Sequence, residues 1–144
     1  MPEAKDPHYE RRVRESFALQ GALTSIGAEM VSVEPGATEI HLRFHQDVTQ
    51  QHGYVHGGVV TTIMDTACGY AAMSLVPADM EVLTVEFKAN FVNPARGELF
   101  IARGRVKKAG RTLIVCEGEV VTPGPDGETL IAIMLATIMA VKRP

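Results

Sequence analysis

The sequence predicts an α+β domain in which one antiparallel β-sheet curls around a central helix. Three observations carry that expectation. A single strongly apolar stretch at residues 57–75 has helical spacing, the segments before and after it alternate apolar and polar residues as strands do, and the later strands are joined by short turns, which make consecutive strands antiparallel neighbours. A chain of 144 residues has room for one core, so residues 1–144 read as one domain with a helical N-terminal segment at 1–27.

The elements follow in order. Residues 8–26 set Val13, Phe17, Leu19, Leu23 and Ile26 among charged side chains at a loose 3.6-residue period, with Gly27 as a stop, which predicts one peripheral helix. From Glu29 the pattern becomes Met30, Val31 and Val33, then the turn Glu34-Pro35-Gly36-Ala37. Ile40, Leu42 and Phe44 next alternate with Glu39, His41 and Arg43, giving a β-hairpin with one buried face. Residues 45–56 keep neither period, and Gly53 marks a loop. The central helix carries Val60, Ile63, Met64, Ala67, Cys68, Ala71 and Leu75, with no proline before Pro77.

Beyond Pro77, Leu83, Val85, Phe87, Ala89 and Phe91 fall on one face of a strand and Glu86, Lys88 and Asn90 on the other, until Asn93-Pro94-Ala95-Arg96-Gly97 ends it. Strands at 99–106, 112–121 and 129–141 come next. Lys107-Lys108-Ala109-Gly110-Arg111 and Pro123-Gly124-Pro125-Asp126-Gly127 are the turns between them. The last strand is apolar on both faces: Leu130, Ala132, Met134, Ala136 and Ile138 on one, Ile131, Ile133, Leu135, Met139 and Val141 on the other. Helices on a single side of the sheet cannot cover both, so a second subunit or sheet is expected there and the protein is expected to be a homo-oligomer.

Composition narrows the partners. Lys plus Arg is 14 and Asp plus Glu 17, a formal net charge of −3, which offers nucleic acid or an anionic membrane no general attraction. Hydrophobic residues at 46% and charged residues at 22% are those of a folding chain. The most apolar run, residues 130–141, is shorter than the roughly 20 residues of a membrane-spanning helix. The charged residues 1–14, with Pro2 and Pro7, do not read as a secretory signal. Cys68 and Cys116 stand in no zinc or disulfide pattern, so a reducing, cytoplasmic setting and two inert core thiols are expected.

One residue of the central helix conflicts with its surroundings. Asp65 is a mediocre helix former in mid-helix and has no basic residue at positions 61, 62, 68 or 69. It shares a face with Thr61, Thr62, Gly69 and Ala72, small side chains that leave space for a ligand. The helix opens with Gly57-Gly58, whose backbone N–H groups lack intrahelical acceptors and carry the positive end of the macrodipole. Such an end suits a developing oxyanion, and a carboxylate on the same helix suits activation of water or direct attack, the parts of an acyl-transfer site.

The stretch Gln50-Gln51-His52-Gly53-Tyr54-Val55-His56-Gly57-Gly58, with Asp65 seven residues on, Val82-Leu83-Thr84-Val85-Glu86-Phe87 and then Asn93-Pro94-Ala95-Arg96-Gly97, resembles the hotdog-fold acyl-CoA thioesterases of the phenylacetate-degradation type, over residues 28–141. The resemblance implies a helix wrapped by an antiparallel sheet, a homodimer as the minimal unit and a homotetramer built from such dimers. It implies an acyl-CoA substrate and no metal or redox cofactor, CoA being part of the substrate; the apolar helix face, with the adaptable Met64, Met73 and Met80 beside it, suits an aryl or medium-chain acyl group.

It also implies roles. Asp65 matches the catalytic carboxylate, as general base or as nucleophile. The Gly57 N–H matches the donor to the thioester carbonyl, and His56 a position that shapes the loop and touches the thioester. Gln50 stands where relatives have Asn, or Gln paired with Glu, so this chain mixes Gln with Asp. Thr84 matches a position that holds water and acts across the dimer from Asp65, although the strand alternation sets it opposite Leu83 and Val85. The basic turn with Lys107, Lys108 and Arg111 is the candidate for the CoA phosphates.

Each feature has a plainer reading. His56 can be a hydrogen-bonding structural residue, Asp65 a paired carboxylate, the glycines a tight turn, and the basic turn a solvated hairpin tip. Serines 16, 25, 32 and 74 lie in no nucleophile elbow, and the Asp-x-Asn-Pro-x-His signature of a hotdog hydratase is absent. The alternative to a hydrolase is a non-catalytic acyl-CoA-binding or regulatory domain of the same fold.

Overall fold

A computed structural model describes residues 2–144. The elements are α1 (Tyr9–Ala18), α2 (Gly21–Ile26), β1 (Glu29–Glu34), β2 (Ala37–Arg43), α3 (Gly57–Met73), β3 (Met80–Phe91), β4 (Leu99–Ala109), β5 (Leu113–Gly124) and β6 (Gly127–Lys142). The six strands form one sheet in the order β1-β2-β4-β5-β6-β3, every pair antiparallel. Helix α3 packs on β2, β3, β4, β5 and β6. Five strands about 4.8 Å apart span roughly twice the width of a helix, so the sheet curls to keep them all in contact, as the hotdog fold requires. No helix among the described residues is long and apolar enough to cross a membrane.

The seating of α3 depends on two glycines. A Cβ at Gly104 of β4 would run into the backbone of Ala67, and one at Gly118 of β5 would press on Cys68 Sγ and Met64 Cγ at 2.9 Å. With hydrogen alone at these positions, backbone lies against backbone, and Ile63, Met64, Ala67 and Cys68 are completely buried. Thr38 Oγ1 of β2 donates to Ala67 O at 2.7 Å, fixing the helix in rotation as well as in depth.

Several expectations change on contact with the structure. The N-terminal segment is two helices, because the chain breaks at Leu19 and Gln20 before Gly27 stops α2 in the left-handed region at φ +77°. Both lie on the outside of the core, as expected, each anchored by one buried residue: Leu23 in α2, and in α1 Val13, which packs on Val33, Tyr70 and Met73. Phe44 leaves the hairpin and is 40% exposed, since β2 ends at Arg43. Lys107, Lys108 and Ala109 belong to β4, and the turn shrinks to residues 110–112.

Strand β3 departs furthest from simple alternation. Its pairing with β6 slips between Thr84 and Glu86, leaving Val85 as an extra residue. Before the bulge Val82 and Thr84 pair with the buried Ala140 and Ile138, on the helix side. After it Phe87, Ala89 and Phe91 pair with Ala136, Met134 and Ala132, on that same side. One bulge thus lets the strand present a polar Thr to the helix without sending Glu86 and Lys88 after it. Yet β3 is an edge strand, and Leu83, Val85, Phe87 and Phe91 remain exposed.

Arg12, which the sequence pattern did not single out, ties the N-terminus to the end of α3. Its guanidinium donates to the carbonyls of Met73, Val76, Pro77, Ala78 and Met80 at 2.9–3.3 Å, and Asp6 faces it at 3.1 Å. Met73 O is an orphan carbonyl of the α3 C-terminus, where positive charge is favoured, and the other four belong to the connection that leads into β3 and to the first residue of that strand.

Two outcomes follow from this packing. Arg12→Ala strands Asp6 and five carbonyls, and urea unfolding is expected to register a loss of about 3 kcal/mol; a loss below about 1 would overturn the clamp. Burial pushes the Cys68 thiol well above the usual thiol range and the Cys116 thiol up to about 12. A raised thiol pKa leaves the protonated, unreactive form at neutral pH, so a thiol reagent at about pH 8 should count none in the folded protein and both free cysteines after denaturation.

Candidate functional site

The loop before α3 is built by its own backbone. Gln50 N–H donates to Tyr54 O at 2.8 Å, His56 N–H to Val48 O at 2.9 Å and Val55 N–H to Ala95 O at 3.0 Å. Gly53 takes the turn at φ +84°, a conformation that favours glycine. The Gln50 side-chain oxygen accepts from the N–H groups of His52 and Tyr54, so the residue holds the loop closed and keeps its NH2 end for another partner. Arg96 lies over the Tyr54 ring at 5.3 Å and donates to its hydroxyl at 2.9 Å, bracing the loop from outside.

His56 is the N-cap of α3. Its Nδ1 accepts from Gly58 N–H at 2.8 Å, which in the neutral ring leaves the proton on Nε2. The plainer reading of this histidine therefore holds in part: one ring nitrogen is committed to the helix. Capping removes Gly58 as a free donor and leaves Gly57, whose N–H has no acceptor among the described residues. A Cβ at Gly57 would sit 3.5 Å from the Phe91 ring, so the donor lies beside the far end of β3.

Asp65 lies two turns along, half-buried, with no cation paired to it among the described residues. Thr84 Oγ1 of β3 donates to Asp65 Oδ1 at 2.8 Å. The pair forms within one chain. The β3 bulge is the reason, since it turns Thr84 toward the helix. Thr61, Thr62 and Thr66 spend their hydroxyls on carbonyls one turn back, at Gly57, Gly58 and Thr62, and Ala72 is buried in the core rather than beside Asp65. Met64 is core as well.

A pocket of about 190 Å³ opens at the Asp65–Thr84 pair, with Ser16, Gln20, Tyr70 and Glu81 also on its walls. A larger concavity of about 580 Å³ lies on the opposite face of the sheet, among Lys88, Arg105, Glu117, Ile133 and Leu135, and touches neither Asp65 nor Gly57. Chemistry, not size, makes the smaller one the candidate site. Among the described residues no three His, Cys, Asp or Glu side chains cluster as metal ligands.

The structure separates the other predicted residues. Lys107 is tied to Glu117 at 3.5 Å, and Lys107, Lys108 and Arg111 stand at the end of the sheet where Leu113 and Leu83 flank Met139, away from Gly57 and Phe91. Within one chain they do not meet the helix N-terminus. Gly57 and Asp65 are also apart: eight residues of α-helix put their Cα atoms about 12 Å from each other along the axis. Ser16, Gln20 and Tyr70 escaped the sequence pattern because they come together only when α1 docks on α3.

Residues 52–128, more than half of the chain, match the sequence model of the thioesterase superfamily. A thioesterase family protein from Silicibacter pomeroyi is 45% identical and superposes with a TM-score of 0.91 over 94% of this chain and 99% of that one. The 1,4-dihydroxy-2-naphthoyl-CoA hydrolase of Listeria monocytogenes is 29% identical over 123 residues, 85% of this chain and 98% of that protein. The E. coli PaaI protein from the phenylacetic acid degradation operon shares the fold, with a TM-score of 0.82 over 92% of this chain and 93% of its own at 16% identity. A loop held for a free helix-end donor, a carboxylate with no cation and the match across 52–128 agree: the chain belongs to the thioesterase superfamily and is a thioester hydrolase.

Proposed function

We propose that the protein hydrolyses an aryl- or medium-chain acyl-CoA to the carboxylic acid and free CoA, with Asp65 activating water or attacking the carbonyl carbon and a Gly57 N–H holding the oxyanion. The observation that carries the reading is the Thr84–Asp65 hydrogen bond at the mouth of a pocket: a half-buried carboxylate without a cation, aimed by a hydroxyl. The Listeria relative, a CoA hydrolase by name, supports CoA as the leaving group. As general base, Asp65 takes a proton from water while the water oxygen bonds to the carbonyl carbon. The C–S bond then breaks and the CoA sulfur leaves with a proton.

The spacing along α3 supports a composite site. One helix cannot aim groups about 12 Å apart at one carbonyl, whereas a second copy can bring its Gly57 to the first copy's Asp65. The unpaired edge of β3, with Leu83, Val85, Phe87 and Phe91 exposed beside it, is a surface suited to that second copy. Exposed Ile133 and Leu135 on the outer sheet face offer a further contact for the homotetramer. For the CoA phosphates, Lys108 and Arg111 are the members of the basic turn without an ion pair among the described residues; Lys107 and the nearby Arg103 are held by glutamates.

Thiol release from acyl-CoA tests the chemistry. Asp65→Asn should lower kcat about 10²–10⁴-fold with the fold intact, and unchanged turnover would refute its role. Gly57→Pro deletes the N–H at the first helical position, where proline fits and where His56, at φ −59° and ψ 135°, already has the conformation that precedes proline. It should cost on the order of 10²–10³ in rate. Co-expressing the two variants separates the site models: a composite dimer regains about a quarter of wild-type activity from mixed pairs, while a site within one chain regains none.

A further inference from the structure

We infer that Ser16, Gln20 and Tyr70 are the acyl selector of this enzyme: they form a polar end wall to the pocket at Asp65 that holds compact acyl groups with a neutral hydrogen-bonding atom at the far end and stops longer, purely apolar chains. The inference rests on Asp65 being the reacting group. Ser16 and Gln20 of this wall come from the N-terminal segment, which precedes residues 52–128 where the family match lies, and Tyr70 comes from α3 within it.

The pocket runs along α3 from Asp65. Gly69 is one turn further on the same helix face, an interior position where glycine is disfavoured, and a Cβ added there would meet nothing within 4 Å. Local stability is given up where the helix borders open space. The volume of about 190 Å³ compares with the roughly 150 Å³ cavity that takes up benzene, so a ring-sized acyl group fills it.

Its end wall is hydrogen-bonding. The Tyr70 ring is 5% exposed and lies edge-on to Phe17 at 6.0 Å, which fixes the direction of its hydroxyl. Gln20 Nε2 donates to that hydroxyl at 2.8 Å, and Ser16 Oγ is 3.0 Å from it. The Gln20 side-chain oxygen has no partner among the described residues and is exposed to an incoming donor. The break between α1 and α2 makes this possible, because Gln20 is the N-cap of α2, extended at φ −78° and ψ 103°. Glu81, on the same pocket and 3.0 Å from Arg143, adds a carboxylate that disfavours an acidic acyl group. An apolar chain end would leave the Gln20 side-chain oxygen without a partner; a neutral hydroxyl or amide N–H supplies one.

Two acyl-CoAs of equal length test the selector: ω-hydroxypentanoyl-CoA and hexanoyl-CoA, with decanoyl-CoA as the long apolar control. The wild type should favour the hydroxylated thioester in kcat/KM by about tenfold or more and turn over the decanoyl compound least. Gln20→Leu combined with Ser16→Ala, both at solvent-accessible positions, should reverse the hydroxyl preference, and Tyr70→Phe should weaken it. A ratio between substrates is not moved by a mere loss of stability. Turnover of none of the thioesters by the wild type overturns the hydrolase reading itself. Turnover with no hydroxyl preference, or with a preference unchanged in the double variant, overturns the selector alone.

Discussion

The close approach of α3 to the sheet governs this molecule. At Gly104 and Gly118 the helix backbone and side chains rest where any Cβ would stand, and the two surfaces interlock at the density of a protein interior. That contact fixes the rotation of α3. Rotation in turn decides which side chains are lost to the core, such as Met64 and Cys68, and which stay reachable, such as Asp65 and Gly69. A carboxylate in mid-helix is tolerable because the helix gains its stability from burial of the opposite side and has little need of good propensity at each position.

A second constraint is the β3 bulge. A regular strand alternates strictly, so a Thr facing the helix would bring Glu86 and Lys88 to the same side. Adding Val85 between two registers gives a polar residue at one end of the strand and aromatic ones at the other, both toward α3. The polar end meets Asp65 and the aromatic end meets Gly57. The start and the middle of α3 therefore see two different environments supplied by one edge strand, and that edge is still unpaired along its outer side.

The N-terminal helices turn a bare sheet-and-helix core into a pocket. Arg12 closes the carbonyls at the end of α3 and Val13 enters a small cluster with Tyr70 and Met73, so α1 is held by charge-assisted hydrogen bonds and apolar burial together. With α1 so held, Ser16 and Gln20 reach the hydroxyl of Tyr70, and the space beside Asp65 acquires a floor. The pocket beside Asp65 thus draws its walls from the N-terminal helices, α3 and β3 together.

Local patterns in the sequence determined the element order, the antiparallel strands, the central helix and the oddity of Asp65, because helix and strand periods and turn residues act over a few positions. The apolarity of both faces of the last strand was legible for the same reason, and Ile133 and Leu135 do stand exposed. Only the tertiary structure decided that Thr84 meets Asp65 in its own chain, that His56 caps α3, that residues 8–26 break into two helices, and that Arg12 and Tyr70 matter. Each of these depends on a bulge, a helix rotation or a docking contact between residues far apart in sequence, and no local period encodes such distances.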